Sequence, residues 1–164
     1  MDHASHIGHN GHHGRHAGGA PSLDRIAFLA TLHCLSGCAI GEVAGMVIGT
    51  ALGLSNGETI ALAVVLAFLS GYALTMLPLL RAGYGLAAAS RLALLADTAS
   101  IAVMEIVDNL VMVAIPGAMD APLDSFLFWG SLAVALVIAG VAAFPLNRWL
   151  IARGKGYAAV HAHH

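Results

Sequence analysis

The sequence predicts an all-α integral membrane protein, a four-helix bundle with both termini in the cytoplasm. Three observations carry this reading. Hydrophobic residues make up 59% of the 164-residue chain and charged residues only 10%, against roughly a quarter charged in soluble domains. Four apolar stretches, 26–54, 59–80, 92–115 and 126–151, each reach the roughly 20 residues that a helix needs to cross the hydrocarbon core. Finally, Arg15, Arg25, Arg81, Arg91, Arg148, Arg153 and Lys155 all fall on one side of those four spans. The connections on the other side carry Glu58, Asp120 and Asp124 and no base. The positive-inside rule puts the basic side in the cytoplasm. The first apolar run is too long for a secretory leader and follows a polar tail, so it reads as a membrane helix.

The chain divides into a histidine-rich tail (1–22), a transmembrane domain (23–157) and a short histidine-containing tail (158–164). In the first tail His3, His6, His9, His12, His13 and His16 alternate with Gly8, Gly11, Gly14, Gly18 and Gly19. So many glycines disfavour a helix and predict a flexible segment. Histidine-rich tracts read by composition as metal-binding; a solvated tail with no such role is the alternative.

Helix 1 contains both cysteines of the protein and the one histidine outside the tails. Cys34, Cys38, Glu42 and Met46 recur every four residues and so lie on one slowly drifting stripe. Gly37, Gly41, Gly45 and Gly49 form a second stripe, of the small-residue kind that lets membrane helices approach closely. Helix 2 carries little chemistry. Tyr72 and Thr75 are read as packing and anchoring residues, with hydrogen bonds across helices as the other option, and Pro78 is expected to kink the inner end. Residues 81–91 read as a short basic loop.

Helix 3 holds Asp97, Thr98, Ser100, Met104, Glu105, Asp108, Asn109 and Met112 in an apolar frame. An acid at mid-bilayer costs about 2.5–3.5 kcal/mol on insertion scales, so these acids should face the bundle interior. Pro116-Gly117 ends the helix. Helix 4 runs between Trp129 and Trp149, placed where aromatic belts are expected. Pro145 should bend its inner end, and Asn147 reads as a capping or interfacial residue.

Helices 1 and 3 run in the same direction, so depths can be compared. At 1.5 Å per residue, Cys38 and Glu105 fall about 18 and 20 Å along their helices, and Glu42 and Asp108 both about 24 Å. The two helices are therefore expected to share an intramembrane site built from Cys34, Cys38, Met46, His33, Glu42, Glu105 and Asp108. Thiolate and thioether ligands select Cu(I), which is favoured over Zn²⁺ held by the cysteines, His33 and a carboxylate. His33 points about 100° from Cys34 and is the weakest member of the set.

The function expected from these residues is transition-metal binding and transport, without catalysis. A membrane chaperone or sensor that presents metal to a partner protein is the first alternative. Thiol redox chemistry at Cys34 and Cys38 is the second, weakened by their spacing and by the lack of another cysteine pair to pass electrons on. Two membrane cysteines can also be no more than small apolar packing residues. A haem site is disfavoured because only His33 could supply an intramembrane imidazole. No nucleophile–base triad, phosphate loop or nucleic-acid site is present. Besides lipid, a second copy of the chain is a candidate partner, through the glycine stripe or a lipid-facing surface.

At His33-Cys34-Leu35-Ser36-Gly37-Cys38-Ala39-Ile40-Gly41-Glu42 the chain resembles domain-of-unknown-function family 4396. Met104-Glu105-Ile106-Val107-Asp108-Asn109, Phe128-Trp129 and Pro145-Leu146-Asn147-Arg148-Trp149 strengthen the resemblance, which covers about residues 24–157. It implies a helical protein of the bacterial inner membrane whose relatives are sometimes labelled with copper proteins, without an established activity. The histidine tail is not part of the family pattern.

Overall fold

A computed structural model describes residues 22–153. The readings of the two histidine-containing tails, and the placement of Arg15 and Lys155, lie outside these residues. Four helices follow in order: α1 (Leu23–Leu52), α2 (Asn56–Arg81), α3 (Leu86–Ala114) and α4 (Phe126–Ala152). Each packs on its two neighbours in the ring α1–α2–α3–α4, and α1 also meets α3 across the centre, whereas α2 and α4 do not touch. All four are long and apolar enough to cross a membrane. Leu52, Leu95, Ile106, Phe126 and Val141 turn outward with most of their surface exposed. Such an apolar exterior suits lipid and would be costly in water, which marks a membrane protein.

Local chemistry sets the helix ends. Ser22 and Ser125 cap α1 and α4 by accepting hydrogen bonds from the Arg25 and Phe128 amides. Ser55 and Glu58 form a reciprocal capping box on α2. Gly53 closes α1 at φ 65°, a conformation that a side chain would strain. One expectation needs correcting: most of 81–91 is not loop. Leu86-Ala87-Ala88-Ala89-Ser90-Arg91 already belongs to α3, because leucine, alanine and arginine are strong helix formers and nothing breaks the run after Gly85. Arg25, Arg81, Arg91, Arg148 and Arg153 are all exposed at one end of the bundle, the basic end. Glu58, Asp120 and Asp124 lie at the other, the acidic end.

The glycine stripe of α1 has its partner within the chain. Gly37, Gly41, Gly45 and Gly49 lie against Gly71, Ala67, Ala63 and Thr59 of α2, a second four-residue series running antiparallel to the first. This face is filled by α2, so the expected pairing of two copies through it is not open. A Cβ at Gly41 would fall within the backbone of Leu66 and Ala67, whereas one at Gly57 would meet nothing within 4 Å. Gly41→Val should therefore lower stability by roughly 3 kcal/mol or more, the upper range for overpacking. Gly57→Ala should be neutral or gain up to about 1 kcal/mol. Thermal melts followed with a thiol-reactive dye read both, since Cys34 and Cys38 are buried free thiols that only unfolding exposes.

Polar side chains tie α4 to α1 and α3 to α2. Asn147 is buried and donates to Thr31 Oγ1 at 2.9 Å, joining α4 to α1, so it is a cross-helix tie rather than an interfacial cap. Tyr72 and Thr98 share a hydrogen bond of 2.9 Å between α2 and α3. Arg148 pairs with Asp24 on the exposed basic end.

Candidate metal centre

Every small residue in the α1–α2 seam draws α1 toward α2 and turns the neighbouring stripe, Cys34 to Met46, toward α3. Asp97, Ser100, Met104, Glu105, Asp108 and Met112 are the buried residues of α3 that meet this stripe. The result is a column of paired levels along the bundle axis. At the level nearest the basic end, the Cys34 thiol points at Asp97 Oδ1 across 3.9 Å, with Ser100 beside it. Next, Cys38 Sγ lies 4.0 Å from Met104 Sδ and neighbours Glu105. Glu42 and Asp108 then come within electrostatic reach of each other. Met46 and Met112 follow, lining a small cavity of about 20 Å³ together with Glu42, Asp108 and Met119.

The polar atoms of this column are poorly satisfied. Neither oxygen of Glu42 or of Glu105 has a partner in good hydrogen-bond geometry, nor do Asp97 Oδ2, Asp108 Oδ1 and Ser100 Oγ; the nearest polar groups are one another, with Glu42 beside Asp108, Glu105 beside the Cys38 thiol and Asp97 beside Thr75. These four acids are each at most 3% exposed, and no Lys or Arg is buried with them among the described residues. Leaving such groups unpaired costs about 1–3 kcal/mol each, more when charged. A fold shaped only for stability would replace them with apolar residues. Buried acids without a basic partner must either carry a proton or be matched by a cation.

The expected ligand set divides on this geometry. Cys34, Cys38, Glu42, Glu105 and Asp108 all face the α1–α3 column. His33 stands on the α2 side of it: its Nε2 is 3.0 Å from Thr75 Oγ1 of α2, and Thr75 in turn neighbours Asp97 of the column. The reason is its register, since His33 precedes Gly37 by one step of the glycine stripe and so extends the α1–α2 seam. Met46 is on the column but packs with Phe128, Leu132 and Met112 toward the acidic end, away from the cysteines. Residues on a four-residue stripe are spaced about 6 Å along the axis, so Cys34 and Met46 cannot converge on one ion. Accordingly no group of three His, Cys, Asp or Glu side chains set to hold a metal occurs among the described residues. The arrangement is a series of levels, each offering a few ligand atoms.

Several residues enter the column that the expected set leaves out. Asp97 and Ser100 share the face of Asp108 by helical period, and Met104 and Met112 stand four residues to either side of Asp108. Both signals are present in the spacing. Met119 has none, because it follows Pro116-Gly117 in the α3–α4 connection and only the turn at Gly117, φ 76°, brings it back over the bundle.

The sequence matches the family of a domain of unknown function, DUF4396, over residues 25–156. The chain belongs to the DUF4396 family. The matched span takes in all but the first two residues of α1 and the whole of α2, α3 and α4, hence the entire column. No curated protein and no solved structure matches the chain, so the chemistry of its DUF4396 domain is argued from its own residues.

Proposed function

We propose that the protein binds a soft transition-metal ion, Cu(I) in preference to Zn²⁺, between α1 and α3 and carries it across the membrane. The basic end faces the cytoplasm of a bacterial cell, as the positive-inside rule requires. One observation supports this above the rest: thiols, thioethers and carboxyl groups alternate down a single buried column in which no Lys or Arg is buried among the described residues. Thiol and thioether sulfur favour Cu(I) over harder divalent ions. The carboxylates compensate its charge where the bilayer offers no water to do so. Levels spaced along the axis, each with few ligands, suit an ion that passes from one to the next better than one that stays. A resident structural Zn²⁺ calls for four converging ligands.

Transport is read in proteoliposomes loaded with a Cu(I) indicator under reducing conditions. Cu(I) should enter vesicles holding the full chain faster than protein-free vesicles. Binding without entry would assign the protein to metal delivery or sensing instead.

A further inference from the structure

The acidic end of the bundle opens into a cavity of about 290 Å³ bounded by the α1–α2 turn and the α3–α4 connection. The two connections are clasped across it by a hydrogen bond of 2.9 Å from Asn56 Nδ2 to Asp120 Oδ1. Met46, Met112 and Met119 line this cavity and also the smaller one beneath it, where Glu42 and Asp108 stand. Of the six methionines in the chain, these three come from α1, α3 and the α3–α4 connection to meet at one place. Below them, Glu42 and Asp108 are 2% and 3% exposed, stand side by side and line the smaller cavity with oxygens that have no partner in good hydrogen-bond geometry.

We infer that Met46, Met112 and Met119 form a thioether entry site that admits soft monovalent metal ions, Cu(I) or Ag(I), and passes them to the Glu42–Asp108 level. The inference rests on the metal-binding reading above and adds to it where the ion enters and what selects it. Thioethers are neutral and polarisable, so they hold a soft monovalent ion but offer little to Zn²⁺, Mg²⁺ or Ca²⁺, which prefer nitrogen or oxygen. Selection thus occurs before the ion meets the carboxylates, which would accept harder cations. Three side chains from three elements can close around an ion and release it as one of them turns, and methionine has the rotatable bonds to do so.

Ag(I), a redox-stable stand-in for Cu(I), tests this on the full chain in lipid nanodiscs. Met46→Leu/Met112→Leu/Met119→Leu keeps volume and apolarity and should weaken Ag(I) binding at the entry site by more than about 100-fold, beyond the loss that disturbing supporting groups alone causes. A second measurement needs no substitution at these positions. Peroxide converts accessible methionines to sulfoxide, and saturating Ag(I) should protect Met46 and Met119 while leaving Met76, half-buried in α2 away from the column, unprotected. The same protection should persist in Cys34→Ser/Cys38→Ser. If wild type binds Ag(I) but none of these methionines is protected, the entry site is overturned and the cysteine levels stand. If wild type binds no Ag(I), the metal reading falls with it.

Discussion

Glu42→Leu and Glu105→Leu should each yield a protein that melts higher than wild type and moves no Cu(I). Both carboxyl groups are buried without a basic partner and outside good hydrogen-bond geometry, with only Asp108 beside one and a thiol beside the other, so each substitution removes a cost of about 1–3 kcal/mol and fills the space with a side chain of similar size. Gains of this kind at the expense of activity are what a functional site shows when its residues are kept against stability. Melting in detergent and flux in proteoliposomes measure the two halves. A variant that melts lower than wild type would mean that the carboxylates hold the bundle together through partners of their own. One that is stabilised yet still transports would remove them from the path.

Cys34→Ser/Cys38→Ser should weaken Cu(I) binding inside the bundle by at least about 100-fold, the loss that disturbing supporting groups alone can cause. Competition against a Cu(I) chelator reads the change. The cost in stability should stay near 1 kcal/mol per site. Serine is close in size, and its hydroxyl can bond to the carbonyl four residues back, as Ser36, Ser90 and Thr98 already do. Because the fold is expected to survive, lost binding can be assigned to the sulfur atoms. Unchanged affinity would return the cysteines to the role of small packing residues.

The four helices were legible in the sequence because a membrane span is specified by length and apolarity alone. The start of α3 was not, since Leu86 to Arg91 combines helix-forming residues with a base that suggested a loop. The stripe from Cys34 to Met46 was visible by period, and so were the acids of α3. What period cannot give is the partner of each face. Thr59, Ala63, Ala67 and Gly71 look like ordinary apolar filler until the glycines of α1 are set against them, and that contact is what carries His33 to Thr75 instead of to the cysteines. Nor does period reveal that ligands on one stripe are strung out in depth. Met119 illustrates the remainder: a connection's path depends on a single left-handed glycine, and its contribution to the cavity is a tertiary fact.

In this DUF4396 chain a small-residue seam holds α1 against α2 and leaves the column of Cys34, Cys38 and Glu42 facing α3. The claim that copper occupies that column is tested most directly by X-ray absorption at the copper edge, on reduced full-length protein loaded with one equivalent of Cu(I). A shell of sulfur is expected, with part of it lost in Cys34→Ser/Cys38→Ser. A shell of nitrogen, which would place the ion on the histidine-rich tails, or the absence of bound copper, would contradict a copper site between α1 and α3.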